Sequence, residues 1–152
     1  MTIHAALREL GLTLPDISAP EGLYSPYLIY DNMLYVSGQL PFDEDGNLIC
    51  GVVGKSIDVQ SARKAAERAA LSALAQVQAA LGGSFDRLDR LFRMTGYVNS
   101  SPDFMQHPAV VDGASALFNT LFAAHKHVRC AIGCNSLPKG VAVEIETVFL
   151  IK

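Results

Sequence analysis

One segment of the chain, residues 56–83, restricts the fold more than any other because it has the pattern of a single long helix rich in alanine. Ser56 or Asp58 supplies a cap at its start, and the Gly82-Gly83 pair predicts its end. Apolar side chains recur at helical spacing along one face: Val59, Ala62, Ala66, Ala69, Ala73, Val77 and Ala80, with Leu71, Leu74 and Leu81 beside them. Because alanine lets a helix lie close to its neighbour, we expect this helix to pack directly on a sheet.

Shorter segments with the alternation of β-strands lie on both sides of this helix. Residues 27–30 and 33–37 flank Asp31-Asn32, two residues that tolerate a left-handed backbone, which predicts a β-hairpin. A further short strand is expected after the Asp-Gly turn at residues 45–46. The remaining predicted elements are a strand within 89–100, a second helix within 110–125, and two strands within 128–137 and 141–152.

The order of these elements, β-β-(β)-α-β-α-β-β, predicts an α+β fold with one mixed sheet of five to six strands and both main helices on one face. We expect a single domain over residues 1–152, in which residues 1–20 form an N-terminal helix and loop extension. The opposite sheet face has no helix to cover it. Half of the residues are hydrophobic and the mean hydropathy is +0.25, so we expect this face to pack against other subunits around a central barrel.

Charge and cysteine content narrow the function classes. The formal net charge is −3 and the basic residues are scattered, whereas nucleic-acid binding needs a concentrated basic surface, so nucleic acid is not an expected partner. No uncharged apolar run reaches the length of a membrane span. Residues 1–20 lack the pattern of a signal peptide, and Cys50, Cys130 and Cys134 are odd in number, so we expect a cytoplasmic location and core positions for the thiols. No metal or other cofactor is expected, since no set of three or four convergent ligands is apparent.

A lone arginine, Arg129, lies in the apolar strand segment that follows the second helix. Glu144 and Glu146 lie on one face of the last strand, fifteen and seventeen residues further on. A charge removed from water costs several kcal/mol unless it is paired or receives an ionic partner. Arg129 therefore either forms a structural ion pair with Glu144 or Glu146, or binds an anionic ligand.

Two motifs carry a family resemblance. The segments YSPYLIYDNMLYVSGQLPFDEDG and RCAIGCNSLPKGVAVEIE resemble the two signatures of the RidA/YjgF family, once called L-PSP endoribonucleases, and LGLTLP, GYVNSSPDF and VVDGAS resemble its longer-chained subgroup. The resemblance implies a chorismate-mutase-like fold, a homotrimer and three ligand clefts at the subunit interfaces. It also implies a hydrolase that converts reactive imines and enamines, such as 2-aminoacrylate and 2-iminopropionate, to keto acids and ammonia without a cofactor.

The resemblance assigns roles to individual positions. Arg129 matches the arginine that binds the substrate carboxylate, a role suited to the planar guanidinium fork. Glu144 matches the glutamate that activates water, and Glu146 is expected to be structural. The expected ligand is thus a small imine or keto acid that bears a carboxylate.

Further positions match groups that line the cleft. Ser37 matches a serine that hydrogen-bonds the ligand, although a strand-end hydroxyl that satisfies a turn is the simpler alternative. Tyr24 matches a tyrosine of the cleft wall, with Tyr27 as its nearest competitor. Gly38 permits close approach of the backbone, and amides near Gly38 or Cys130 are candidates to hold the carboxylate.

Three departures from the family pattern bear on the substrate. Asp112 stands where the deaminases typically have asparagine, and an acidic side chain facing the cleft would disfavour an anionic substrate. Ala131 replaces a common cysteine, and His127 replaces a common proline near the rim. These differences favour a cleft suited to another substrate. They also leave two alternatives open: a non-catalytic trimer that binds a keto acid or amino acid, and the endoribonuclease of the older family name.

Overall fold

The computed structural model describes residues 2–17 and 19–152. It contains three α-helices, five strands and one turn of 3₁₀ helix: α1 (Ile3–Glu9), β1 (Tyr27–Tyr30), β2 (Met33–Gln39), α2 (Val59–Ala80), β3 (Leu88–Asn99), α3 (His107–Leu121), β4 (Val128–Cys134), the 3₁₀ turn (Pro138–Gly140) and β5 (Val143–Ile151). None of the described helices is long and apolar enough to cross a membrane.

The five strands form one mixed sheet in the order β1-β2-β5-β3-β4. The pairs β1–β2, β2–β5 and β5–β3 are antiparallel, and β4 lies parallel to β3 at one edge. The predicted α+β fold is therefore confirmed, with α2 and α3 packed on one face. The optional sixth strand is reduced to isolated bridges, Phe42 to Leu48 and Cys50 to Val141, because this segment pairs too briefly to form a ladder.

The signals that delimit α2 act as the sequence predicts. The Asp58 carboxylate accepts a hydrogen bond of 2.7 Å from the Ser61 backbone N–H, which satisfies a donor of the first turn. Gly82 and Gly83 follow the helix with φ values of 78° and 95°, which end it at low steric cost. The alanine stripe is fully buried against the sheet, from Ala62 to Ala73.

Two glycines bring α3 close to its neighbours. Gly113 faces the backbone carbonyl of Arg63 on α2 so closely that a Cβ would collide with it. Gly96 on β3 lies under the side chain of Val111, where a Cβ would collide with the valine methyl groups. Helix α3 begins at His107, three residues earlier than predicted, because Pro108 is accommodated in its first turn.

The sheet face opposite the helices is covered by none of the described helices and carries several exposed apolar side chains. Leu34 and Val36 point to the helices and are buried, so Tyr35 between them points to the open face, where it is 40% exposed. Strand register places further exposed apolar side chains on this face: Leu28, Tyr30, Val128 and Ile132. The predicted bare face is present, and the trimer that would cover it stays a prediction.

Candidate active site

Glu144 lies on the open face of the sheet, near the start of β5. Its cross-strand neighbour on β3 is Tyr97. Burial raises the pKa of the Glu144 carboxyl, and the nearby Glu146 carboxylate raises it further. The pKa of Glu144 is thus closer to neutral pH than that of an ordinary glutamate. A general base that works near neutral pH requires such a pKa.

Gly38 supplies the space that the Glu144 carboxylate occupies. A Cβ built on Gly38 would lie on top of the Glu144 Oε1 atom. The φ angle of Gly38 is not positive, so the requirement for glycine here is steric and not conformational. The two residues, on the adjacent strands β2 and β5, form one wall of a cavity.

The cavity around Glu144 has a volume of about 350 Å³. Its wall brings together three of the predicted residues, Tyr24, Gly38 and Glu144, from a loop and two strands. Tyr24 is 55% exposed and belongs to the loop between α1 and β1. The predicted Ser37, Asp112, Arg129 and Cys130 do not line this cavity.

Ser37 holds the loop that carries Tyr24. Its hydroxyl donates a hydrogen bond of 2.7 Å to the Ser25 carbonyl, and its backbone N–H donates to the Pro26 carbonyl at 3.0 Å. The simpler of its two predicted roles, a strand-end hydroxyl that satisfies a turn, has a direct contact here. A ligand-binding role for Ser37 stays a prediction.

Polar residues that sequence reasoning missed complete the cavity. Gln39 and Gln76 contribute amides, and Gln76 on α2 is only 7% exposed. At the rim, Lys139 Nζ forms an ion pair of 2.6 Å with Glu21, which ties the 3₁₀ turn to the loop before β1. Gln39 adjoins the Ser-Gly signature and was within reach of motif reasoning, whereas Gln76 follows an alanine-rich run that gives no sign of a ligand contact.

Arg129 lies at a second location, on the helix side of the edge strand β4. Its Nη1 atom forms an ion pair of 2.8 Å with Asp112 Oδ1 and donates a 2.9 Å hydrogen bond to Ser115 Oγ, both on α3. Its Nη2 atom donates to the Pro108 carbonyl at 3.4 Å. The alternative considered from the sequence, an ion pair of Arg129 with Glu144 or Glu146, is not formed within the subunit, where the partner is Asp112. The ligand-binding role of Arg129 stays a prediction.

The Arg129 contacts extend in two directions. The second carboxylate oxygen of Asp112 lies 4.0 Å from Nη1 of Arg63, which itself donates to the Ala109 carbonyl at 2.8 Å. On the other side, the Ser115 hydroxyl lies 3.0 Å from Nε2 of His127. Burial lowers the pKa of His127, and the positive charge of Arg129 lowers it further, so both effects favour the neutral ring beside the guanidinium.

Arg129 and Glu144 point to opposite faces of the sheet. Arg129 is the partner of Met94 on β3, which is buried under the helices, whereas Glu144 is the partner of Tyr97. Met94 and Tyr97 are three residues apart on one strand and so face opposite ways. The two predicted catalytic groups therefore do not meet within one subunit.

The cysteines do not lie in the core, contrary to the sequence prediction. Cys50 and Cys130 are exposed, and Cys134 is half-buried. Cys130 shares the open face with Glu146, because both are partners of Thr95, so its side chain points away from that of Arg129. Among residues 2–17 and 19–152, no cluster of three or more His, Cys, Asp or Glu side chains is arranged to hold a metal ion.

Comparison with known proteins gives matches over nearly the whole chain. A family model described as "YjgF/chorismate_mutase-like, putative endoribonuclease" matches residues 4–145. Protein TCP17 of Trypanosoma cruzi is 40% identical over 146 residues, which cover 95% of this chain and 91% of that protein.

Two crystal structures superpose closely on this fold. Atu1372 of Agrobacterium tumefaciens, a protein of unknown function, has a TM-score of 0.90 at 41% identity and covers 99% of this chain and 94% of its own. A "putative endoribonuclease" from Shewanella oneidensis has a TM-score of 0.93 at 30% identity and covers 99% of both chains. Since the family model matches residues 4–145, a range that includes Gly38, Arg129 and Glu144, the chain belongs to the RidA/YjgF family.

Proposed function

We propose that the protein is a small hydrolase that deaminates reactive imines and enamines, of the 2-aminoacrylate and 2-iminopropionate type, to keto acids and ammonia. The observation that carries this proposal is the Glu144 carboxylate, which faces a cavity of about 350 Å³ with its pKa raised by burial. A carboxylate of raised pKa beside space for a small molecule is suited to remove a proton from water.

The reaction then balances without any added group. An enamine first tautomerises to the imine. Glu144 takes a proton from a water molecule whose oxygen attacks the carbon of the C=N bond as its π bond breaks, and the protonated Glu144 passes this proton to the nitrogen. In the resulting carbinolamine, Glu144 carries the hydroxyl proton to the amino nitrogen, the C–N bond breaks, and ammonia leaves as the C=O bond forms. Water and imine are consumed, and one carbonyl compound and one ammonia are produced.

The demand on the protein is modest, because small imines already hydrolyse in water. Holding the imine beside an oriented water supplies part of the acceleration. A positioned acid-base group supplies a factor of about 10²–10⁴ more. Glu144 supplies this acid-base group, and the cavity beside it supplies space for the imine.

The complete site is proposed to lie between two subunits of a homotrimer. Arg129 and Glu144 face opposite ways in one subunit, while the apolar open face and the exposed edge strand β4 are available to a second copy. In such an assembly the Arg129 group of one subunit receives the polar end of the substrate, and the Glu144 cavity of its neighbour receives the C=N bond. A carboxylate is the simplest polar end, as the family resemblance implies.

A competition assay tests the proposal. An amino-acid oxidase generates imino acids in turn, semicarbazide traps them, and the trapped product is followed with and without the protein. Wild type is expected to suppress trapping. The rate at which the protein removes the imine is expected to fall at least tenfold in Arg129→Ala and in Glu144→Gln. Arg8→Ala, which removes the same charge from α1, is the matched control and is expected to act as wild type. Trapping that wild type leaves unchanged would rule out the deaminase.

A non-catalytic ligand-binding trimer is the second candidate, favoured by the pairing of Arg129 with Asp112. It predicts that keto acids bind, that no imine is turned over, and that Glu144→Gln leaves binding intact. The endoribonuclease named in the family description is a weaker candidate. The net charge of −3 opposes RNA binding, which depends on neutralisation of phosphates by cationic side chains.

A further inference from the structure

The guanidinium of Arg129 contacts side chains of α3 within its own subunit. Its Nη1 nitrogen lies 2.8 Å from Asp112 Oδ1 in an ion pair and donates a hydrogen bond of 2.9 Å to Ser115 Oγ. Its Nη2 nitrogen has only a long contact of 3.4 Å to the Pro108 carbonyl. A ligand therefore meets the part of the fork that Asp112 and Ser115 do not occupy.

The carboxylate of this pair is more accessible than the guanidinium. The Asp112 side chain is 51% exposed, compared with 23% for Arg129. Arg63 lies 4.0 Å from the other Asp112 oxygen, with its side chain 35% exposed. A molecule that approaches from solvent thus meets an anionic acceptor beside a cationic donor, and not an isolated positive charge.

A donor next to an acceptor is complementary to a carboxamide. The amide oxygen accepts a hydrogen bond from the free N–H groups of Arg129, while the amide N–H donates to Asp112. A carboxylate offers two acceptors and no donor, so it is repelled by Asp112 and competes with it for the same guanidinium. In the proposed trimer, the Glu144 cavity of the neighbouring subunit adds another carboxylate near the ligand. The Lys139 cation at the same cavity is already paired with Glu21, so it does not offset this negative charge.

We propose that Asp112 is a specificity-determining residue, which makes the Arg129 end of the site prefer substrates with a neutral, amide-like polar end over those with a free carboxylate. This inference rests on the proposed function only in that Arg129 contacts the substrate. It concerns relative affinity, so imines that bear a carboxylate remain substrates, though poorer ones.

Calorimetric binding of two product analogues tests the preference. Pyruvamide and pyruvate differ only in the amide or carboxylate end, and each is titrated into wild type, Asp112→Asn and Asp103→Asn. Wild type is expected to bind pyruvamide at least tenfold more tightly than pyruvate, and Asp112→Asn to shift that ratio at least tenfold toward pyruvate. Asp103 is exposed and forms none of the described ion pairs, so Asp103→Asn removes the same net charge and is expected to keep the wild-type ratio.

Several results would overturn the inference. The first is that wild type binds pyruvate as tightly as pyruvamide or more tightly, and the second is that it binds neither analogue. The third is that Asp103→Asn shifts the ratio of the two affinities as much as Asp112→Asn does. Asparagine retains an oxygen that accepts from Arg129, so the pair geometry survives the substitution, and the melting temperature of Asp112→Asn verifies the fold. The trapping assay is separate: amide preference without turnover refutes only the proposed reaction, and turnover with pyruvate preference refutes only the role of Asp112.

Discussion

Gly38 and Glu144 share one volume at the junction of β2 and β5: the space that a side chain at position 38 would fill is occupied by the Glu144 carboxylate. Gly38 of the Ser-Gly-Gln segment therefore determines where the carboxylate of Glu144 can lie, although the two residues are more than a hundred positions apart in the chain. The colliding atom is the far end of a flexible side chain, so the conflict is relieved by moving the carboxylate and not by unfolding the strand.

Gly38→Ala is expected to fold but to lose activity. The added methyl group pushes the Glu144 carboxylate from its position, and a displacement of about 1 Å at a reacting group reduces the rate by up to about 10²-fold. Imine trapping gives kcat/KM, and thermal unfolding gives the Tm.

Gly11→Ala is the matched control for this substitution. Gly11 has a φ of 67° and open space around its Cα, so alanine there strains the backbone without touching the cavity. The expected pattern is the reverse, a lower Tm with kcat/KM unchanged. A Gly38→Ala variant with wild-type kcat/KM would show that the position of Glu144 does not limit the reaction.

Glu144→Gln is expected to raise stability at neutral pH while abolishing turnover. The folded protein raises the pKa of Glu144 above its ordinary value of 4.5, so ionisation of this group costs folding free energy. This cost is absent below about pH 4, grows as the pH rises toward the folded pKa, and is complete above it. Glutamine never ionises, so the Tm of Glu144→Gln should exceed that of wild type at pH 7.5 and converge with it near pH 4.

The same pKa sets the acidic limb of wild-type activity, since the base is lost as the pH falls through the raised value. The limb of kcat/KM should therefore lie at higher pH than that of an unperturbed glutamate. Glu9→Gln, an exposed position on α1, is the control and should leave Tm and activity close to wild type at every pH. A Tm gain that is the same at pH 4 and pH 7.5 would contradict the assigned burial of the charge.

Tyr35→Glu is expected to separate the subunits of the proposed trimer. Tyr35 lies on β2, on the open face of the sheet, and is 40% exposed. If this face is buried in an interface, an unpaired carboxylate at position 35 costs several kcal/mol. Light scattering with size-exclusion chromatography should give about three times the 16.3 kDa chain mass for wild type and the single mass for the variant. Leu10→Glu on the C-cap of α1, at 45% exposure, should leave the assembly intact. A monomeric wild type would remove the basis for a composite site.

Thr147→Val is expected to stabilise the protein. Thr147 is 2% exposed on the helix side of β5, and its hydroxyl has no hydrogen-bond partner among the described residues. Valine has nearly the same shape without the unsatisfied polar atom, so unfolding should cost about 1 kcal/mol more, which raises the Tm by about 2–4 °C. Chemical denaturation measures this difference.

Thr120→Val provides the comparison, because the Thr120 hydroxyl is exposed on α3 and already bonded to the Ala116 carbonyl at 3.0 Å. Its effect should stay within about 0.5 kcal/mol. Equal effects of the two substitutions would mean that the buried hydroxyl of Thr147 carries no desolvation penalty.

Much of the fold could be predicted because its signals are local. The Asp58 cap, the glycines that end α2 and the turn at Asp31, whose φ is 56°, each act within a few residues. The hydrophobic spacing of the strands and of α2 then indicated which faces are buried. The two family signatures marked the strands that carry Glu144 and Arg129.

The candidate site depends on contacts that no local pattern contains. That Arg129 pairs with Asp112, and faces away from Glu144, follows from the parallel alignment of β4 beside β3. That Gln76 lines the same cavity as Glu144 follows from how α2 lies against the sheet. The exposure of Cys130, wrongly predicted to be buried, likewise depends on the edge position of β4 and on the packing of all the described main helices against the other face.

The sequence by itself determined where the chain forms helices, strands and turns, since backbone preference and hydrophobic period act over a few neighbouring residues. Only the tertiary structure decided which charged groups meet. Strand order and register bring together residues far apart in the chain, and a shift of one residue in register would turn Arg129 to the other face.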